Sequence, residues 1–304
     1  MSPTPLKGWL LALLATLIWS GNFIVARGLA ETLSPLALAF WRWTVAVVVL
    51  LPFALGPTWR ARHALRRHWR FLLASALMGV TLFNTLIYLA GHTTEALNLS
   101  LIAISSPIFI LLFLRVFYGE RLRLGQLLGT AITVLGVVLL ITDGDLGRLT
   151  GLALAQGDLW MLLAALLWAG YTLLLRHKPA ELSPTVFLLA TFVPGWLMLL
   201  PPYWLDSLGQ APVAWSPTVI GALLYVGLGA SLVAFFCWNQ AVQQLGAARA
   251  GLVYYLLPLF SGLLGVWLLA EPIGLSQLTS MALILSGIAV ATGVLSTQPK
   301  KETP

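Results

Sequence analysis

The sequence has very little charge for its length. Only 9% of its 304 residues are charged, whereas 59% are hydrophobic, and the mean hydropathy is +0.92. A soluble domain carries about 25% charged residues, because its surface must be solvated by water. This composition therefore excludes a water-soluble globule. The surplus apolar surface must face lipid, and we predict a membrane protein.

Groups that carry enzyme chemistry are also scarce. The one cysteine, Cys237, cannot form an intramolecular disulfide. The ten acidic residues and four histidines fall in predicted loops, tails or helix ends, and the sequence has neither a G-x-S-x-G motif nor a metal-ligand cluster. We therefore predict no catalytic residue, no metal and no cofactor. A proton relay at the membrane midplane would need a buried carboxylate or histidine, so any transport is expected to proceed without a carboxylate proton carrier.

Long apolar runs fill most of the chain. A membrane-spanning helix needs about 20 apolar residues, and ten such segments can be drawn, which predicts an all-α polytopic protein. Their approximate bounds are 7–27, 34–55, 70–90, 96–117, 122–142, 156–175, 184–205, 216–243, 246–270 and 273–296.

Basic residues predict the orientation of these spans. The net charge is +7, but Lys and Arg lie in short gaps between apolar runs, so we expect no nucleic-acid partner. Thirteen of the 17 basic residues fall on one predicted side, including a cluster between Arg60 and Arg70, and only Arg27 and Arg148 fall on the other. Cytoplasmic loops carry the excess of Lys and Arg. Both termini are therefore predicted to be cytoplasmic.

The two halves of the sequence resemble each other. Trp19, Arg27 and the pair Ser34-Pro35 recur 149 positions later as Trp168, Arg176 and Ser183-Pro184. Pro107 and Glu120 recur 151 positions later as Pro258 and Glu271. Since each half holds five predicted spans, an odd number, the second half must enter the membrane from the opposite side. We therefore predict inverted repeats over 1–150 and 151–304, a common plan of secondary transporters. A duplicated scaffold without transport is the alternative.

The motifs resemble the EamA family of the drug/metabolite transporter superfamily. The resemblance rests on W-S-G-N-F at 19–23, S-P-I-F-I-L-L-F-L-R-V-F-Y-G-E-R-L at 106–122, and L-P-L-F followed by L-L-A-E-P within 257–272. It implies ten helices arranged as five plus five, a central cavity, and export of metabolites, often amino acids. The small drug-exporting relatives carry a Glu in the first helix, where this sequence has L-I-W-S-G-N, so proton-coupled cation export is not expected.

Aromatic and amide residues inside the spans are the candidate substrate site. Trp19 lies about 18 Å along the first helix from Lys7, near the midplane, whereas lipid-facing Trp prefers the interface. An amide facing lipid would leave its hydrogen-bonding groups unsatisfied. Packing between helices is the alternative role for each residue. The predicted substrate-binding residues are Trp19, Asn22, Asn84, Tyr88, Trp168, Tyr171, Asn239, Tyr254 and Tyr255.

Four other features inside the spans have predicted roles. Pro107 and Pro258 occupy equivalent positions and are candidate gating hinges, with a static kink as the alternative. Arg42 is expected to reach the interface or to bond carbonyl groups, and it could instead hold a substrate carboxylate. Gly125 and Gly129 form a G-x-x-x-G pattern that predicts close helix packing.

The sequence as a whole predicts an inner-membrane exporter of small neutral or zwitterionic metabolites. Amino acids, including bulky aromatic ones, suit an aromatic cavity that has amide groups and few charges, whereas highly charged phosphates do not. Export of lipophilic drugs or other metabolites is one alternative, and a membrane scaffold without flux is another. The sequence does not indicate the oligomeric state.

Overall fold

The computed structural model describes residues 5–29, 32–93, 102–103, 105–142, 144–150, 156–209, 213–269 and 275–292. All regular structure in these ranges is helical. A short helix, Arg62–Arg67, precedes the third long helix, and a 3-10 turn, Leu146–Leu149, follows the fifth. The long helices are α1 (Pro5–Leu29), α2 (Pro35–Arg60), α3 (Trp69–Thr93), α4 (Ser105–Tyr118), α5 (Leu124–Ile141), α6 (Gln156–His177), α7 (Pro184–Ser207), α8 (Pro217–Leu245), α9 (Ala247–Tyr254), α10 (Leu257–Leu269) and α11 (Leu275–Thr292).

Within the described residues, six helices are long and apolar enough to cross a membrane: α2, α3, α5, α6, α7 and α8. Two shorter apolar helices, Ser105–Tyr118 and Leu278–Thr292, accompany them. Seven of the ten spans drawn from the sequence agree with helix bounds to within five residues. The start of the fourth and the end of the tenth lie outside the described residues.

The predicted ninth span is not one helix. It divides into α9 and α10 at Tyr255 and Leu256, close to Pro258, where the sequence predicts a hinge or a kink. Pro258 has no N–H to donate to the carbonyl of Tyr254, and a proline disfavours helical geometry in the residue before it. The chain therefore turns before Pro258 and starts a new helix around it.

Serine and proline begin the equivalent helices α2 and α7 in the same way. The Ser34 hydroxyl accepts a hydrogen bond from the backbone N–H of Ala37, and the Ser183 hydroxyl accepts one from Val186. Each serine precedes a proline at the first helical position, where the absent N–H would have had no helical partner. The Ser34 hydroxyl also bonds the Asp206 carboxylate at the end of α7. The start of α2 therefore lies beside the end of α7.

The helix contacts repeat between the two halves. α2 packs along α7 and α5 along α11, so each of these helices packs on its own equivalent. α1 packs on α8 and α10, while its equivalent α6 packs on α3 and α4. Each of these helix contacts is therefore matched by a contact between the equivalent helices. The interface between the halves therefore contains parts of both copies, as expected for a fold built from two related units.

Both α3 and α8 contain a π-helical segment. The segments are Leu77–Leu82 and Tyr225–Val233, and the first coincides with the last six residues of the second after a shift of 151 positions. A π turn widens the helix and breaks the usual carbonyl pairing, and such turns are frequent at functional sites. In α8 the Ala230 carbonyl, which lies inside this segment, accepts hydrogen bonds from the side chains of Trp19 and Arg42.

Candidate functional site

Aromatic rings from both halves meet in the protein interior. Trp19 and Trp168 lie with ring centroids 5.1 Å apart and planes at 88°, the edge-to-face geometry that aromatic pairs favour. Trp168 is 0% exposed, stacks on Phe83 at 4.5 Å, and also contacts the rings of Trp238 and Tyr254. The equivalent tryptophans of the two copies thus form the centre of one aromatic cluster.

A narrow cavity lies against this cluster. It has room for about one water molecule. Its wall combines indole rings with amide and phenol groups and has no carboxylate, histidine, lysine or arginine. The lining residues are Trp19, Asn22, Phe83, Asn84, Ile87, Trp168 and Tyr254.

Arg42 is buried beside the cavity and does not reach the interface. Its side chain is 1% exposed, its Nη1 donates to the Tyr88 hydroxyl at 2.7 Å and the Asn22 amide oxygen at 3.3 Å, and its Nη2 donates to the Ala230 carbonyl at 2.9 Å. Its Nε donates to the Ser231 hydroxyl. Of the two alternatives for Arg42, bonding to a carbonyl group is therefore the one observed. The cation is linked to the cavity through Asn22.

The equivalent position in the second half has no cation. The Tyr171 hydroxyl donates directly to the Asn239 amide oxygen at 2.8 Å. Tyr171 is the repeat equivalent of Asn22 and Asn239 that of Tyr88, and Thr191 stands where the first half has Arg42. Asn22 and Tyr88 are thus joined through a charged side chain, whereas their equivalents Tyr171 and Asn239 bond each other directly and without a charge.

The structure brings most of the predicted site residues together. Five of the nine line the cavity, namely Trp19, Asn22, Asn84, Trp168 and Tyr254, and Tyr88, Tyr171 and Asn239 lie in the adjoining polar clusters. Tyr255 differs from the rest, because it packs in a separate apolar cluster with Ala12 and Val137. Sequence reasoning missed Phe83, Ile87, Ser231 and the Ala230 carbonyl. The first two were hidden among many similar apolar residues, and a free carbonyl has no signature in residue types.

Buried acid is rare in the described residues. Asp158 is buried in the first turn of α6, ten residues before Trp168, which is about 15 Å along a helix. It therefore lies away from the cavity. Within the described ranges, no group of three or more His, Cys, Asp or Glu residues is placed to hold a metal ion.

A polar cluster joins the ends of α4 and α6 at the protein surface. Arg176 forms an ion pair with Glu120 at 2.6 Å and lies over the ring of Tyr118, whose hydroxyl is 2.7 Å from His177 Nε2. Exposed ion pairs contribute only about 0–1 kcal/mol, so this cluster positions the two ends more than it stabilises the fold. The repeat equivalents of the ion pair are Arg27 and Glu271. The side chain of Arg27 and all of Glu271 lie outside the described residues.

Comparison with known proteins identifies the family pattern in both halves. Residues 6–142 and 155–293 each match the model of the EamA-like transporter family. A protein of Archaeoglobus fulgidus named an uncharacterised transporter is 29% identical over 97% of this chain and 98% of its own length. The transporter YyaM of Bacillus subtilis, whose activity is also uncharacterised, is 26% identical over 93% of each chain.

Two further similarities bear on substrate and fold. A protein of Streptantibioticus cattleyicolor named a probable terminal-alkyne amino-acid exporter is 28% identical over 81% of this chain and 80% of its own. One solved crystal structure superposes with a TM-score of 0.74 and covers 94% of this chain and 96% of the other at 24% sequence identity. At that identity the likeness shows a shared fold.

Proposed function

This chain belongs to the EamA-like transporter family, and from that premise we propose that it exports small neutral or zwitterionic metabolites, amino acids above all. The observation that carries the proposal is the cavity between the halves, with Trp19 and Trp168 on its wall beside Asn22 and Asn84. Indole rings suit an apolar or aromatic side chain, and amides suit the polar ends of an amino acid. The probable amino-acid exporter among the relatives supports the same class of substrate.

Transport is proposed to proceed by alternating access in the cytoplasmic (inner) membrane, with both termini in the cytoplasm. The contact between Ser34 and Asp206 supports an inverted arrangement of 1–150 and 151–304. The contact fits antiparallel packing of α2 and α7, and in an inverted arrangement the Ser-Pro starts of these two helices lie at opposite faces of the membrane. Exchange of conformation between two such halves converts an opening on one side into an opening on the other.

The proposed mechanism needs no buried carboxylate to carry a proton. The cavity lining has no acid or histidine, and Asp158 lies in the first turn of α6, away from it. A neutral or zwitterionic substrate moving down its gradient, or in exchange for another, requires none.

Counterflow in proteoliposomes tests this function. We expect purified protein to exchange labelled neutral amino acids with saturable kinetics, and we expect collapse of the pH gradient to leave the initial rate within about twofold. Protein-free vesicles are the control. Strict dependence on the gradient would contradict the absence of a proton carrier. Exchange of lipophilic drugs alone would favour a drug exporter, and no saturable exchange of any compound would favour a scaffold.

The two prolines are proposed hinges for this motion. Pro258 follows the break between α9 and α10, and Pro107 lies within α4. Alanine at both positions would give each helix a backbone N–H that proline lacks and would make both helices stiffer near these positions. We expect Pro107→Ala with Pro258→Ala to slow counterflow several-fold, while surface expression and the apparent affinity for substrate change little. Unaltered flux in the double variant would show that neither proline is a hinge. Pro52→Ala, within α2, is a matched control.

A further inference from the structure

Arg42 is a fully buried cation whose described partners are all neutral. It is bonded by an amide, two hydroxyl groups and one carbonyl, and no carboxylate in the described parts of the chain lies within ion-pair distance. Desolvating a charge costs several kcal/mol, and this cost is recovered well only by a partner of opposite charge. Neutral acceptors leave Arg42 with unused electrostatic attraction for an anion.

The repeat shows that the fold does not need this charge. The second half joins Tyr171 to Asn239 by one direct neutral hydrogen bond, with Thr191 in place of the arginine. If Arg42 served only to brace helices, the neutral arrangement of the other half would do the same work without the cost of burying a cation. The charge in one half alone therefore calls for another explanation.

Unused hydrogen-bond donors point toward the same ligand. Of the five N–H groups of a guanidinium, four are used by the partners of Arg42. The indole Nε1–H of Trp168 is buried, belongs to a side chain that lines the cavity, and has no acceptor. Its equivalent, Trp19 Nε1, donates to the Ala230 carbonyl, which also accepts from Arg42. The site therefore offers donors and a positive charge, the chemistry that recognises a carboxylate.

We infer that Arg42 binds the carboxylate of the transported substrate. The inference rests on the proposed function and adds the recognition element to it. The contact between Arg42 and Asn22 is the longest of its hydrogen bonds, at 3.3 Å, and Asn22 also lines the cavity. A carboxylate that enters the opened cavity displaces the Asn22 amide from Nη1 and forms the shorter, charge-assisted bonds that a guanidinium makes with an acid. Amino acids are then preferred over their amides and over the corresponding amines.

Competition by matched ligands tests the inference. Phenylalanine, phenylalaninamide and phenethylamine share one ring and differ in the carboxylate, so each is used to inhibit counterflow of labelled phenylalanine. In the wild type we expect the acid to compete at least about tenfold better than the amide, because hydrogen bonds to charged groups contribute about 1.5–3 kcal/mol. Arg42→Gln should reduce that ratio to near one, and Arg42→Lys should retain part of it. Arg115→Gln, which removes an exposed arginine from α4, should leave the ratio unchanged.

Measuring both binding and flux distinguishes failure of the role of Arg42 from failure of the proposed function. Quenching of tryptophan fluorescence in detergent reports binding of the same three ligands without transport, and it uses the wild type alone, so it does not depend on whether Arg42→Gln folds. Preferential binding of the acid without any flux would sink the transporter proposal and support recognition of a carboxylate, which loss of the preference in Arg42→Gln would then assign to Arg42. Flux of amino acids with equal competition by acid and amide would overturn the role of Arg42 and leave the proposed function intact.

Discussion

Trp168→Ala is expected to abolish most transport and to lower the thermal stability of the purified protein. The side chain is fully buried and contacts rings from both halves, including Trp19, Phe83 and Trp238. Replacing a buried tryptophan by alanine removes its contacts and leaves a cavity, which costs about 3–5 kcal/mol. That loss corresponds to a drop of the thermal midpoint on the order of 10 °C.

Transport should suffer beyond the loss of stability. Trp168 forms a wall of the cavity, and its counterpart Trp19 touches it edge to face. Without the ring, the two halves lose the surface on which an apolar substrate side chain would rest, so the initial rate of counterflow should fall by an order of magnitude or more even below the melting temperature.

An exposed tryptophan provides the control for this result. Trp204 on α7 is 63% exposed in the isolated chain and therefore faces lipid or headgroups. Trp204→Ala removes the same side chain without opening an internal cavity, and both stability and counterflow should stay close to wild type. Suppose that Trp168→Ala melts at the wild-type temperature and exchanges amino acids at the wild-type rate. The aromatic cluster would then neither stabilise the contact between the halves nor line the transport path.

The sequence was sufficient for the features that rest on composition and repetition. Hydropathy predicted the helical class and most helix bounds, and the motifs predicted the family, which the family comparison confirms. Trp19 and its repeat equivalent Trp168 are both predicted to line the substrate site from their position near the midplane, and their rings lie in contact. The close contact around Gly129 also follows the G-x-x-x-G prediction, whereas Gly125 makes only an ordinary contact.

Other features depend on backbone geometry that residue types do not encode. The Ala230 carbonyl, which accepts from Arg42 and Trp19, lies in the π segment of α8, and the extra residue in π turns leaves no periodic signal in a uniformly apolar helix. Whether Arg42 would reach the interface or stay inside was undecided for the same reason. Its partners come from three other helices, α1, α3 and α8, and only their packing decides which acceptors are within reach.

Gly287→Ala is expected to separate α5 from α11 and to destabilise the protein by about 1–3 kcal/mol, the usual cost of overpacking. A Cβ at this position would lie 2.6 Å from the backbone nitrogen of Thr133 and 2.7 Å from the Gly129 carbonyl oxygen. Real Cβ atoms do not approach other atoms so closely, and backbone atoms cannot rotate away as a flexible side chain can. The two helices must therefore move apart along a contact that relies on small residues.

Gly125→Ala is the matched comparison on the facing helix. A Cβ there would meet only the Val290 carbonyl oxygen at 3.5 Å, an ordinary van der Waals distance. Alanine also favours a helix over glycine by about 1 kcal/mol, so this variant should melt at or slightly above the wild-type temperature. The pair of variants changes one methyl group each on the same helix pair. A difference in thermal midpoint between them therefore measures the close backbone contact and not the loss of a glycine.

The same pair also separates stability from recognition. Gly287 and Gly125 lie on α11 and α5, which contribute no residue to the cavity wall. At temperatures where Gly287→Ala is still folded, its preference among competing substrates should equal that of the wild type, although less active protein survives purification. If the two variants melted at the same temperature, α5 and α11 would be able to move apart without loss of stability. If Gly287→Ala changed the substrate preference, the α5–α11 contact would control the cavity from a distance.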